Sequence, residues 1–257
     1  MVERTMAQAF DLSHDLVLIT GGGTGLGFGM AQCMGQAGAK VVITGRREAV
    51  LQEAVKELGD SAWYRVHDVT DVNSSKGLIE SIQSEIGPVT TLINNAGNHV
   101  KKPVEETSFQ DFESVFQTHV MGSFALSKAV IPTMKSAKHG SIIFIASMAS
   151  LFGIPKVVAY SAVKSAFLGM VRTMAAELSQ DGIRVNAIAP GWIHSEMMHK
   201  TAASDPERRN RILTRTPMGK FGHAEDIGWA AVYLCSPAAG FITGTCLPVD
   251  GGISIGF

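Results

Sequence analysis

Ser147, Tyr160 and Lys164 are the residues best suited to acid–base chemistry. They lie in the stretch Ser147 to Lys164, which follows an apolar β-type run from Ile142 to Ala146 and leads into a helix rich in Ala and Val. Tyr160 and Lys164 are four positions apart. On a helix that spacing places them on one face, one turn apart. An ammonium so placed favours the phenolate, and is expected to lower the tyrosine pKa from its free value of about 10 toward working pH. Tyr160 then becomes a proton donor and acceptor, and Ser147, at the end of a strand, can hold a substrate oxygen by hydrogen bond. Such a pair also arises by chance on exposed helices, so its weight depends on a second, independent feature.

That feature lies near the start of the chain. Leu16 to Thr20 is a continuous β-type run, followed by G-G-G-T-G-L-G from Gly21 to Gly27. A helix is predicted next, with Met30, Ala31, Met34 and Ala37 at helical spacing and Gly38 as its stop. A glycine-rich turn between strand and helix lets backbone N–H groups approach a pyrophosphate at the positive end of the helix. The pattern is Thr20-Gly21-x-x-x-Gly25-x-Gly27, with three residues between the first two glycines.

This spacing, together with Ser147, Tyr160 and Lys164, resembles the short-chain dehydrogenase/reductase family, and the resemblance runs from about Leu16 to Gly252. It implies hydride transfer between a nicotinamide cofactor and a secondary alcohol or ketone carbon. Tyr160 would exchange the proton, Ser147 would orient the substrate oxygen, and Lys164 would depress the tyrosine pKa and hold the nicotinamide ribose hydroxyls. Cofactor contacts are implied at Gly21, Thr24, Gly25, Leu26 and Gly27, and at Asn95, Ala96 and Gly97 of an N-N-A-G segment. Asp68 and Val69 occupy the family's adenine position, with a solvated surface Asp as the competing reading. Pro190 and Gly191 match the turn beside the nicotinamide, followed by Ile193 and by Ser195 at the place of a carboxamide-binding hydroxyl.

Gly45-Arg46-Arg47 follows the second predicted strand, Val41 to Thr44. An acid there would bind a free ribose 2′-OH, whereas an arginine accepts a 2′-phosphate. Two arginines point to NADP, with NAD as the alternative, and Arg46 is the leading contact. One position departs from the family: where an Asn usually holds a relay water, Phe116 to Gly122 carries His119. His119 reads as a substitute relay group, with a reference pKa near 6.5 that suits proton transfer, as a packed helix histidine, or as a mark of lost catalysis. Basic residues in His99 to Pro103, and Lys200, Arg208, Arg209, Arg211 and Arg215 further on, suggest an anionic substrate. Within the family the likeness is to gluconate 5-dehydrogenases and similar sugar-acid dehydrogenases, on the basic residues after N-N-A-G, the S-M-x-S after strand five and the G-G-I near the end. A 3-oxoacyl carrier-protein reductase is the enzymatic alternative, and a non-catalytic dinucleotide sensor or scaffold is the alternative of another class.

Alternating strands and helices around a phosphate loop imply an α/β fold, a doubly wound (Rossmann) parallel sheet of order 3-2-1-4-5-6-7. Residues 1–257 are expected to form one domain, with a substrate lid at about 192–217. The 257 residues are 46% hydrophobic and 18% charged, with mean hydropathy +0.17, enough apolar content for a large core. A net charge of −1 argues against a nucleic-acid or anionic-membrane partner. Cys33, Cys235 and Cys246 lack disulfide or metal spacing. His194 and His199 are too poorly spaced to share a metal. With no signal core and no apolar run of membrane length, a cytoplasmic protein is expected. The apolar end, Ile253 to Phe257, is expected to pack on another subunit, and the family resemblance implies a homotetramer.

Overall fold

Side chains alternate across a β-strand, so a strand of consecutive apolar residues must be covered on both faces. The computed structural model, which describes residues 5–194 and 206–256, shows this arrangement. Seven strands, β1 (Leu16–Thr20), β2 (Lys40–Gly45), β3 (Ala62–Val66), β4 (Thr91–Asn94), β5 (Gly140–Ile145), β6 (Ile183–Pro190) and β7 (Cys246–Val249), form one parallel sheet of order β3-β2-β1-β4-β5-β6-β7. The register sets Leu18 beside Val42 and Leu92, and Phe144 beside Asn94 and Ala187.

Val17, Ile19, Val41, Ile43, Ile93, Ile143, Ile145 and Ile188 face one helical layer. It consists of α2 (Gly25–Gln36), α3 (Glu48–Leu58) and α9 (Ala224–Cys235). Leu16, Leu18, Val42, Leu92, Ile142, Phe144, Val185 and Ala187 face the other, formed by α4 (Ser75–Glu85), α6 (Gly122–Ala137) and α7 (Val158–Leu178). The short helices α1 (Met6–Phe10), α5 (Phe109–Phe116) and α8 (Pro206–Arg215) lie outside these layers. Burying a large aliphatic or Phe side chain stabilises by roughly 1.5–3 kcal/mol, and both faces of the sheet are lined with them. Helices α2 and α9 approach closely through small residues. A Cβ on Gly29 would meet Ala224 Cβ at 2.5 Å, and one on Gly228 would meet Cys33 Sγ at 2.4 Å.

Helix α7 carries Tyr160 and Lys164, and its register determines where they go. Ala159, Val163, Phe167, Val171 and Ala175 repeat every fourth residue and are buried, and Phe167 packs on Phe144 with ring centroids 5.1 Å apart. Lys164, one position on from Val163, is drawn inward with this stripe and is only 3% exposed.

The chain from Phe109 to Ala137 divides into α5 and α6 around a π-helical turn, Gln117–Met121. The sixth strand runs on to Pro190, because Ala187 to Pro190 pair with β7. At the C-terminal end, Ile253 is buried within its own chain, while Ile255 is exposed and Phe257 lies outside the described residues. No helix among the described residues is long and apolar enough to cross a membrane.

Candidate active site

The loops after β1, β2, β3 and β4 meet at the carboxyl edge of the sheet, where ligands bind in open α/β folds. Thr20 organises this edge. Its Oγ1 accepts hydrogen bonds from the backbone N–H groups of Asn95 and Ala96, both at 2.9 Å. Asn95 in turn donates from Nδ2 to the carbonyl oxygens of Thr20 at 2.8 Å and Gly21 at 3.2 Å. The glycine turn and the N-N-A-G segment are thereby tied into one unit. Gly21 and Gly25 adopt positive φ, +66° and +56°, which L side chains resist. Gly27 is required for packing: a Cβ there would lie 2.2 Å from Gly21 O.

A cleft of about 360 Å³ runs over this unit, lined by Gly21, Thr24, Leu26 and Gly27, by Arg46 and Arg47, by Asp68 and Val69, and by Asn95, Ala96 and Gly97. Thr24 makes no side-chain cap on α2, and a Cβ on Gly25 would meet nothing within 4 Å. The positive end of α2 thus faces open space, a fit for a pyrophosphate. Asp68 Oδ1 accepts from the N–H and the hydroxyl of Thr70, at 3.0 and 2.8 Å. These bonds, with Arg46 nearby, hold its carboxyl below the usual range. Arg46 and Arg47 are exposed and make no salt bridge among the described residues.

A second cleft of about 320 Å³ shares Leu26, Asn95, Gly97 and Asn98 with the first. It brings together Ser147, Tyr160, Lys164 and His119 with Gly25, His99, Pro190, Gly191, Ile193 and His194. Ser147 follows β5, and its buried Oγ accepts from Ala149 N–H at 3.1 Å. Burial pushes the Tyr160 phenol above its ordinary value, and the neighbouring Ser147 hydroxyl opposes that shift. The expectation of a phenol made acidic by Lys164 is corrected here. Lys164 Nζ donates to Ile145 O at 2.6 Å and sits 5.5 Å from the Tyr160 ring centroid. Burial pushes its pKa down to about 7, which weakens the positive charge that would favour a phenolate.

His119 sits in the π turn and is 1% exposed. Its Nε2 lies 2.7 Å from Asn98 O and 3.1 Å from Asn98 N, and its Nδ1 is buried with no hydrogen-bond partner among the described residues. The ring occupies the space a side chain on Gly97 would need, since a Cβ there would meet His119 Cε1 at 2.3 Å. Burial, reinforced by Lys164, pushes its pKa down to about 3. Of the readings open in the sequence, this geometry favours a packed, neutral imidazole. His119→Asn is therefore expected to retain turnover within about tenfold, a packing loss of ~1 kcal/mol. It should also leave the acid limb of the kcat–pH profile in place. A relay imidazole titrating near 6.5 would instead take that limb away with it.

A family model described as enoyl-(acyl carrier protein) reductase, of the short-chain dehydrogenase type, matches residues 21–254. The chain belongs to the short-chain dehydrogenase/reductase family. It is 38% identical over 228 residues to inactive 2-(S)-hydroxypropyl-CoM dehydrogenase 2 of Xanthobacter autotrophicus, a match covering 88% of this chain and 99% of that one. It is 34% identical over 249 residues to gluconate 5-dehydrogenase of Gluconobacter oxydans, covering 96% and 97%. A gluconate 5-dehydrogenase from Burkholderia cenocepacia, solved in complex with NADP and tartrate, superposes with a TM-score of 0.93 at 30% identity, covering 98% of this chain and 100% of that one.

Like others of its family, this short-chain dehydrogenase/reductase is an oxidoreductase suited to a nicotinamide dinucleotide. Its Pro-Gly turn is tightly built: a Cβ on Gly191 would meet Asp250 Cα at 2.6 Å, and Gly191 N–H donates to Val249 O at 3.0 Å. Ser195, Lys200 and much of the expected lid lie outside the described residues, as does the side chain of Arg208. Of the basic residues expected near the substrate, His99 lines the described cleft, whereas Lys101, Lys102, Arg209, Arg211 and Arg215 do not. Lys102 Nζ pairs with Asp111 Oδ2 at 2.7 Å, and Arg209, Arg211 and Arg215 are exposed on α8. Charge counted along the sequence gave no indication that Asp111, brought beside Lys102 by the turn into α5, would claim it. Sequence reasoning also passed over cleft residues. His67, Thr70 and Asn98 line the first cleft without having been singled out, although each adjoins a recognised motif residue or lies within two positions of one. Among the described residues no three His, Cys, Asp or Glu side chains gather as a metal site.

Proposed function

We propose that this protein is an NADP-dependent oxidoreductase that interconverts a secondary alcohol and a ketone on a small anionic substrate of the sugar-acid class. One observation carries the reading: Ser147, Tyr160 and Lys164 line a cleft that shares Leu26, Asn95, Gly97 and Asn98 with the cleft over the glycine turn, which is edged by Arg46 and Arg47, neither in a salt bridge among the described residues. The bound nicotinamide supplies or accepts the hydride. The chain's own residues do the rest. The α2 N-terminus and Gly21 to Gly27 hold the pyrophosphate, Arg46 with Arg47 takes the ribose 2′-phosphate, and Asp68 and Val69 border the adenine. Pro190, Gly191 and Ile193 would flank the nicotinamide. Ser147 orients the substrate oxygen, and Tyr160, held as a neutral phenol by burial, donates its proton to a ketone oxygen or takes one from an alcohol. Lys164 holds the ribose and moves a proton at Nζ, for which a pKa of about 7 is well placed.

A cleft of about 320 Å³ is at the small end of ligand sites. Shared with a nicotinamide ring, it suits a substrate of a few carbons, in keeping with the relatives that act on gluconate. The decisive assay mixes protein, NADP and D-gluconate and follows nicotinamide absorbance, with NAD and a 3-oxoacyl thioester as parallel arms. Faster turnover of gluconate with NADP supports the reading. Turnover of the thioester alone moves the assignment to the carrier-protein reductase class, and NADPH binding without any turnover leaves a sensor. Arg46→Ala is expected to weaken NADPH binding about 10- to 100-fold, the worth of one charge-assisted hydrogen bond. NADH binding should stay within about twofold, and fluorescence titration with both cofactors checks this.

Self-association accompanies this reading. Helices α5 and α6 expose Phe109 at 96%, with Phe112, Phe116 and Phe124 also exposed, apolar area that a homotetramer would cover. The three cysteines are unpaired, which suits a reducing cytoplasm.

A further inference from the structure

A lysine carried into a protein interior keeps its charge where a carboxylate replaces the water it has lost. Lys164 has no such partner: its side chain is 3% exposed, and it forms no salt bridge among the described residues. Its hydrogen bond goes to a neutral acceptor, Ile145 O, at 2.6 Å. Two rings lie beside it, with Nζ 4.9 Å from the centroid of Phe167 and 5.5 Å from that of Tyr160. The titratable groups next to it, the Tyr160 phenol on its own helix and His119 in the π turn, are both kept neutral by burial. Buried though it is, Lys164 lines the cleft of about 320 Å³ that also holds Ser147. A small molecule seated there meets a desolvated amine, the form in which lysine acts as a nucleophile toward carbonyl carbon.

We infer that Lys164 is a covalent capture site for small aldehydes in the cofactor-free protein, forming a Schiff base at Nζ. Neutral Nζ attacks the carbonyl carbon and a C–N bond forms. The oxygen takes up a proton as the nitrogen gives one up, which leaves a carbinolamine. The C–O bond then breaks, the hydroxyl departs as water with the second amine proton, and a C=N bond remains. Nothing is oxidised or reduced. The cleft favours aldehydes of a few carbons by its size, and it shares Leu26, Asn95, Gly97 and Asn98 with the cleft over the glycine turn, so a bound dinucleotide would compete for the space. This reactivity goes beyond the oxidoreduction proposed above and does not depend on which alcohol the enzyme turns over.

Incubating the full-length, cofactor-free protein with acetaldehyde, quenching timed samples with borohydride and mapping the alkylated lysines by peptide mass tests the site. At pH 7 Lys164 is expected to be trapped at least about tenfold more than any exposed lysine, because a solvated amine with a pKa near 10.4 is almost wholly protonated there. Trapping at Lys164 should level off above about pH 8, once Nζ has released its proton, whereas exposed lysines keep gaining about tenfold per pH unit. Lys164→Met should lose the fast phase of labelling and keep the slow one. Saturating NADP should suppress label at Lys164 and spare the surface. Fast label at Lys164 that NADP leaves untouched still supports capture and counts against the cofactor reading alone. Label confined to exposed lysines at pH 7, or label at Lys164 that climbs with theirs to pH 10, overturns the inference.

Discussion

Tyr160→Phe is expected to lower kcat by about 10³-fold, within the range of 10²–10⁴ that a positioned acid–base group contributes, while NADPH binding stays within about twofold. The substitution removes one oxygen from a ring whose edge contacts with His99 and His119 persist, so the fold and the cradle should survive. Ser147 loses a neighbour but keeps its bond from Ala149. Because burial keeps the phenol protonated, the loss should be as large for ketone reduction at pH 6 as at pH 8. A phenolate-first mechanism would show a loss growing with pH. Stopped-flow hydride transfer with cofactor pre-bound measures this directly, and unchanged turnover would remove Tyr160 from the chemistry.

Lys164→Met should have the opposite effects on stability and activity. In the folded protein the ammonium is pushed down to about 7 from 10.5 in the open chain. Between those values the unfolded chain holds a proton that the folded chain has released, so stability rises with pH across the window, and the burial cost is fully present below about pH 7. Methionine matches the length of the stem and needs no counter-charge. The gain is expected to be about 1–4 kcal/mol at pH 6, less about 1 kcal/mol for the lost bond to Ile145 O. The net should appear as a rise of several degrees in Tm for the cofactor-free protein, shrinking toward pH 10. Turnover should fall at least about 10²-fold, because the proton-holding Nζ is gone. A Tm that falls at pH 6, or a gain that does not shrink at high pH, would show that Lys164 is not the buried cost described here.

The sheet and the cradle were legible because their signals are local. A strand, a glycine turn and a helix follow one another from Leu16 to Gln36, and each piece is readable within a few residues. Tyr160 and Lys164 were legible for the same reason, since their spacing fixes a shared face. The bond that holds Lys164 was not, because Ile145 is nineteen positions away and burial is a property of the assembled layers. Lys102 illustrates the same limit on a smaller scale. Asp111 closes a capping box with Ser108 at the start of α5. The same carboxylate also captures a lysine from the preceding loop, so one residue serves as helix cap and as counter-ion. Likewise His119 was visible as a departure, but the notch at Gly97 that it fills belongs to a different strand end.

The wide turn from Gln117 to Met121 has a geometric result of its own. On an ordinary α-helix, directions advance about 100° per residue, so two residues five apart diverge by about 140°. Val115 and Val120 nevertheless join one small cluster with Ala159 and Val163 of α7. The extra residue acts as a phase slip, letting two successive helices keep their apolar sides on the same neighbour. Deleting Thr118 would turn α5 by about a quarter-revolution against α6. Val115 would swing out of its cluster, and the imidazole at 119 would leave the notch beneath the cofactor cradle.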